Sequence, residues 1–199
     1  MPVNSNESGT YSHLPVLQIV GFKNSGKTTL ACKAIAELSA RGLRVGSAKH
    51  DAHRFQLDEP GTDSSKHLTH GSVETVLTSN TATRWMRQNP TTLCEISSML
   101  NGRVDIIIAE GFKNASYPKI ALIRESDQME ALIQETSDVR LWISWLNPEK
   151  LATNKAYTQQ PIAAPIISIH DEEVVMNSIQ SLVLSLFPSN TKFIKNLSI

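Results

Sequence analysis

The chain has 199 residues, enough for one α/β domain with a sizeable core, and length alone does not ask for a second domain. Its 19 basic residues balance 19 acidic ones, so the surface as a whole exerts no pull toward nucleic acid or an anionic membrane, and any phosphate recognition must come from a local site. With 40% hydrophobic and 19% charged residues the composition is globular and excludes a largely disordered chain.

Residues 1–14 are rich in Ser, Asn and Gly and lack the basic and apolar regions of a secretory signal, so they read as a flexible arm. A single domain is expected over 15–188, with 189–199 as a tail. No apolar run is long enough to span a bilayer. Cys32 and Cys94 fit no metal or redox spacing, and both are expected as small buried apolar side chains in a reducing compartment, which makes the cytoplasm the default location.

Val16-Leu17-Gln18-Ile19-Val20 is a nearly continuous apolar run that stops at Gly21, the pattern of a strand buried on both faces. From Lys27 the spacing turns helical. Leu30, Ala34, Ile35 and Leu38 form one stripe, Lys33 and Glu37 lie opposite, and Gly42 supplies a left-handed cap. Arg44 to Lys49 reads as a second strand, and His50 to Ser65 as a long polar loop of the kind that is usually functional or mobile. Ser72 to Thr78 and Thr83 to Met86 read as strands, and Thr91 to Leu100 as a helix. Val104 to Ala109 is the most apolar strand pattern, ending at Glu110-Gly111. Lys119 to Arg124, Val139 to Trp145 and Pro165 to Ile169 follow as strands, with Trp142 and Trp145 expected in the core. The last element is a helix over Glu172 to Phe187, with Asp171 placed to cap it. Strands alternating with helices predict an α/β fold of three layers around a mostly parallel central sheet.

Gly21-Phe22-Lys23-Asn24-Ser25-Gly26-Lys27-Thr28 matches G-x-x-x-x-G-K-[ST] at every fixed position, and it lies between an apolar strand and an amphipathic helix, where such a loop must lie. The glycines let the backbone turn so that successive N–H groups, here those of Gly21, Asn24, Ser25, Gly26, Lys27, Thr28 and Thr29, can point at phosphate oxygens. The helix adds its positive end. Lys27 is then the group that reaches the β- and γ-phosphates, and the Thr28 hydroxyl a Mg²⁺ ligand. The fold expected is therefore that of the P-loop NTPases.

Such a loop needs a carboxylate across the Mg²⁺, commonly at the carboxyl end of a neighbouring buried strand, and Glu110 fits. Gly111 would let the chain approach the γ-phosphate. Asp51, after the second strand, competes as a Mg²⁺ or water partner. His50, His53, His67 and His70 form two His-x-x-His pairs that invite a zinc reading, but without a cysteine nearby the plainer reading is a polar rim. Asp63 is placed to cap a short helix from Ser64 to His70.

Several blocks in order carry a family resemblance. They are Val20 to Leu30, Lys49-His50-Asp51-Ala52-His53, Leu57-Asp58 with Pro60-Gly61-Thr62-Asp63-Ser64, and Ala109-Glu110-Gly111-Phe112-Lys113 with Pro118-Lys119 after it. Together the chain resembles the molybdopterin-guanine dinucleotide biosynthesis adaptor (MobB) family over Val16 to about Ile123. The resemblance implies a homodimeric protein that binds GTP and Mg²⁺, hydrolyses GTP weakly at most, and assists a MobA-like guanylyltransferase in transferring GMP to molybdopterin. It implies that Gly26, Lys27 and Thr28 hold phosphates and Mg²⁺, that Glu110 is the Walker-B-like acid, and that Lys113 and Lys119 contact an anionic cofactor or partner. Asn154-Lys155-Ala156-Tyr157 begins like a guanine-reading Asn-Lys-x-Asp but ends in Tyr, so guanine specificity rests on the resemblance alone. Two other readings use the same loop: a small-molecule phosphotransferase with Asp51 or Asp58 as base, and a non-hydrolysing module in which nucleotide orders the His50–Ser65 loop.

Overall fold

The computed structural model describes residues 14–51, 55–160 and 164–188. The expected N-terminal arm up to His13, His53, and the tail beyond Pro188 lie outside the described residues. In chain order the elements are β1 (Val16–Gly21), α1 (Lys27–Ala40), β2 (Val45–Lys49), α2 (Asp63–Thr69), β3 (Glu74–Thr78), β4 (Thr83–Arg87), α3 (Leu93–Leu100) and β5 (Ile106–Glu110). They continue with β6 (Lys119–Ile123), α4 (Gln128–Glu135), β7 (Val139–Ser144), α5 (Pro148–Ala152), α6 (Lys155–Thr158), β8 (Ile166–Ser168) and α7 (Glu172–Leu186).

β1 is buried along its whole length and sits inside a six-stranded sheet of order β2-β5-β1-β6-β7-β8. Every pairing in that sheet is parallel. The period of two along the strands assigns the faces. Leu17, Ile19, Ile106, Ile108, Ile120, Leu122 and Ile143 pack on Leu30, Ala34 and Leu38 of α1 and Val175, Ile179 and Val183 of α7. On the opposite face Val20, Ala121, Ile123 and Trp142 meet Met129 and Leu132 of α4, Leu151 of α5 and Tyr157 of α6. There too Val16, Ile107 and Ala109 meet Leu93 of α3. The three-layer expectation holds, and the sheet is wholly rather than mostly parallel. The antiparallel β3–β4 pair stands apart as its own two-stranded sheet in the connection between β2 and β5.

Helix ends follow their local chemistry. Gly42, at φ 86°, closes α1: its N–H donates to Ser39 and that of Leu43 to Leu38, the paired bonds of a Schellman motif. Thr92 and Glu95 form a capping box on α3, and the Asp171 carboxylate accepts the Val174 N–H at α7. α2 corrects the expectation by one residue: the Thr62 hydroxyl accepts the Ser65 N–H, and Asp63 is already inside the first turn.

The expected burial of the two cysteines fails, for a reason the packing explains. Cys32 and Cys94 are exposed, because each lies on a helix beside, not within, the stripe that carries the buried residues. α4, α5 and α6 have no counterpart among the expected elements: α5 and α6, of 5 and 4 residues, are too short to display a period, whereas α4 does place buried Met129 and Leu132 at a helical spacing. The Asn154 carboxamide caps α6 and Tyr157 packs in the core, which accounts for that quartet without any base-reading role. Among the described residues no helix is long and apolar enough to cross a membrane.

Ile19 is fully buried between α1 and the centre of the sheet. Ile19→Ala should lower the unfolding free energy by about 2–5 kcal/mol, read as a lower urea midpoint at unchanged m-value.

Candidate functional site

The chain leaves β1 at Gly21 into a turn that tolerates no side chain there: a Cβ on Gly21 would lie 2.7 Å from the Ser25 Oγ and 2.9 Å from the Leu122 carbonyl. Asn24 (φ 61°) and Gly26 (φ 99°) take left-handed backbone, which folds the loop back on itself before α1 begins. The Lys27 Nζ donates to the Phe22 carbonyl across the loop at 2.7 Å. The Ser25 hydroxyl is buried without a hydrogen-bond partner among the described residues. A buried polar oxygen left unpaired between two residues in left-handed backbone fits a cradle for an anion.

Two carbonyls of this loop are held from the side of β6 and β7. The Arg124 guanidinium donates to Asn24 and the Trp145 indole N–H to Ser25, each at 2.8 Å. Trp145 is therefore no core aromatic. It is 37% exposed and braces the loop, whereas Trp142 is buried as expected.

Glu110 closes the other side. It ends β5, is 9% exposed, and both its carboxylate oxygens lie 2.9 Å from the Thr28 Oγ1, which donates to them. Lys49 pairs with Glu110 in the β2–β5 register, and its ammonium lies 3.2 Å from the Glu110 Oε1 and 3.3 Å from the Thr28 hydroxyl. A hydroxyl and a carboxylate converging in this way form the oxygen donor set that a hard divalent cation takes. The Lys49 ammonium bridging them shows where positive charge is wanted. The residues thus fit Mg²⁺. Among the described residues no group of three His, Cys, Asp or Glu side chains is gathered as a zinc cage would require.

Burial is the main cause that lowers the Lys27 ammonium below its ordinary pKa. The Glu110 carboxylate pulls it back up, and the charges of Lys113 and Lys49 push it further down. Lys113 also pairs with Glu135 and lies over the Phe22 ring, 4.3 Å from its centroid. The remaining expected residues divide. Thr29 is exposed in the first turn of α1, and Asp51 is exposed two residues beyond Lys49 on the same rim. Lys119 is committed inside the protein. It is fully buried and donates to the carbonyls of Ala115 and Tyr117. Asp58 is committed too, accepting from Ser64, Thr62, the Glu59 N–H and Arg84, and the Ser64 hydroxyl leads in holding its carboxyl below the usual range.

Gln18 is a further residue that the sequence reading passed over. Its buried Nε2 donates to the carbonyls of Gly111 (3.0 Å) and Phe112 (2.8 Å), both in left-handed backbone. It thereby shapes the turn directly after Glu110. Gly111 is required for a reason other than phosphate approach: a Cβ there would lie 3.1 Å from the His50 carbonyl. Lys49, Arg124 and Trp145 each stand at or just after a strand's carboxyl end, and that position was the signal that could have found them.

Comparison with known proteins bears directly on this geometry. The family profile described as Molybdopterin guanine dinucleotide synthesis protein B matches residues 16–145, a span that holds the loop, Lys49, Glu110 and Trp145. The chain belongs to that family. The molybdopterin-guanine dinucleotide biosynthesis adapter protein of Haemophilus influenzae is 36% identical over 117 residues, which are 57% of this chain and 66% of that protein. Its Escherichia coli counterpart is 35% identical over 119 residues, 56% of this chain and 67% of that one. The matched stretch thus spans about two thirds of the length of these MobB relatives. The crystal structure of Bacillus subtilis MobB superposes with a TM-score of 0.66 at 26% identity, covering 88% of this chain and 99% of that one.

Two outcomes follow from the lysines. Glu110→Gln should move the Lys27 titration to lower pH, and Lys113→Ala should move it to higher pH, as followed by the carbon-13 shift of the Lys27 ε-carbon. Lys119→Ala should cost about 1–3 kcal/mol in chemical unfolding, because buried carbonyls lose their donor, while leaving anion binding by the loop unchanged.

Proposed function

We propose that this chain is a GTP-binding accessory protein of molybdopterin guanine dinucleotide synthesis. The observation that carries the reading is the Thr28 hydroxyl held at 2.9 Å by both oxygens of Glu110, beside a loop closed by Lys27. In this reading the backbone amides from Gly21 to Thr29 bind the phosphate chain, with Asn24 and Gly26 setting the turn and Ser25 offering its buried hydroxyl. Lys27 leaves the Phe22 carbonyl for the β- and γ-phosphates. Thr28 and Glu110 hold Mg²⁺, which when bound neutralises charge on the phosphate oxygens. Asp51, exposed on the same rim, is the residue that would orient water there.

Hydrolysis by the isolated chain is slow in this reading. Arg124, the arginine that reaches the loop, is held on the Asn24 carbonyl, so an arginine for the transferring phosphoryl group must come from rearrangement or from a partner. The partner is a MobA-like guanylyltransferase that handles molybdopterin, and the setting is cytoplasmic. The chain acts as a homodimer through one face of the β3–β4 hairpin, where Val76 and Trp85, opposite each other in register, are both exposed and a second copy would cover them. A phosphotransferase reading loses one of its two candidate bases, since the Asp58 carboxylate is already saturated.

Calorimetric titration of GTP, ATP and GDP with Mg²⁺, with and without the guanylyltransferase, tests this. Lys27→Ala should weaken GTP by about a hundredfold or more, since charge-assisted contacts to two phosphates are lost. Glu110→Gln should remove the Mg²⁺ dependence. Native affinity in Lys27→Ala would end the reading. Trp85→Glu should shift the native dimer to monomer in sedimentation without loss of GTP binding.

A further inference from the structure

Trp145 does more than brace the loop. A Cβ at Gly26 would lie 3.5 Å from its Cζ2, so the indole lies against the first residue of the loop–helix junction. The same indole lines a cavity of about 460 Å³ at the ends of β7 and β8, together with Asn147, Glu149, Ser168 and His170. That volume is within the range of small-molecule sites, about 300–1,000 Å³. The His170 ring meets the indole edge-on at 5.6 Å, and the Arg124 guanidinium lies 5.4 Å from its centroid.

Strand order gives this cavity its direction. Glu110 and Lys49 occupy the β5–β2 side of the loop, and the cavity opens on the β6–β7–β8 side. A nucleotide whose phosphates lie on the loop with Mg²⁺ beside Glu110 therefore has one open side for its nucleoside. Among the residues that line the cavity the acidic one is Glu149. The Asn147 carboxamide accepts its backbone N–H at 2.8 Å, which fixes the start of α5, while its carboxylate has no partner among the described residues.

We infer that this cavity takes the nucleobase and that Glu149 selects guanine, an inference that rests on the triphosphate reading above. Guanine presents N1–H and its 2-amino group side by side, and two carboxylate oxygens accept both. Adenine presents an unprotonated N1 at that place, which a carboxylate repels. Trp145 and His170 supply the aromatic surface against which the purine lies. The family profile ends at residue 145, so Asn147, Glu149, Ser168 and His170 all lie beyond it. Base selection is thus placed on the part of the chain that the profile does not describe.

The test measures displacement of a fluorescent N-methylanthraniloyl GTP from the full chain by GTP, ATP and XTP. The native chain should prefer GTP to ATP. Glu149→Ala should weaken GTP about tenfold or more and leave ATP within about twofold, because a polar site discriminates through the bonds it makes. Glu149→Gln should move the preference toward XTP, since an amide accepts from N1–H and donates to the carbonyl that xanthine carries at position 2. Glu149 is exposed, and circular dichroism of each variant checks that it folds. If both variants keep the native GTP-to-ATP ratio while Lys27→Ala still loses both nucleotides, the base lies elsewhere and the triphosphate reading stands. Equal binding of GTP and ATP by the native chain overturns the guanine assignment in the same way. No Lys27-dependent binding of any triphosphate would instead remove the function proposed above, and this subsite with it.

Discussion

A carboxylate carried to the end of a buried strand must be compensated by charge or by hydrogen bonds, and Glu110 is the residue at which this protein meets that demand. It is met by a hydroxyl from the helix after β1 and an ammonium from the end of β2. Neither partner is a sequence neighbour of Glu110. Each arrives because the parallel sheet delivers the carboxyl ends of β2, β5 and β1 to a single rim. If Glu110 were unpaired the rim would hold a buried charge in apolar surroundings, a state costly enough that such groups pair or neutralise instead.

The loop from Gly21 to Thr28 depends on that rim and on a second support. Its left-handed residues carry a conformational cost that local sequence does not repay. The surrounding structure repays it through Arg124 on the Asn24 carbonyl and Trp145 on the Ser25 carbonyl. The turn after Glu110 is handled in the same way, with Gln18 reaching from β1 to two carbonyls. The site is therefore built from both flanks of β1. Glu110 and Lys49 stand on one flank, and the loop's braces, with the cavity beyond them, stand on the other.

Much of this was legible in the chain. The apolar run before Gly21, the helical stripe from Leu30 to Leu38, and Val104 to Ala109 are long or apolar enough to declare their period, and the fixed spacing of Gly21, Gly26, Lys27 and Thr28 declared the loop. Glu110 was found by its position at a strand end. What escaped was of another kind. Trp145 looked like a core aromatic because an isolated tryptophan after an apolar strand has no local mark of exposure. Lys119 looked like a surface cation because nothing in its neighbours announces that carbonyls at 115 and 117 turn inward to receive it. α5 and α6 carry too few turns to show a stripe.

Sequence alone determined the glycine-rich loop after β1, its lysine, its threonine and the class of fold around them, because these depend on residue types at short fixed spacings and on periods that survive in one dimension. Tertiary structure alone decided which distant side chains complete the site. Lys49 meets Glu110 through strand register, Arg124 and Trp145 reach the loop because β6 and β7 follow β1 in the sheet, and Glu149 lines a cavity beside Trp145. Those meetings are set by the order in which strands add to a sheet, and strand order is a property of long-range packing that no local spacing encodes.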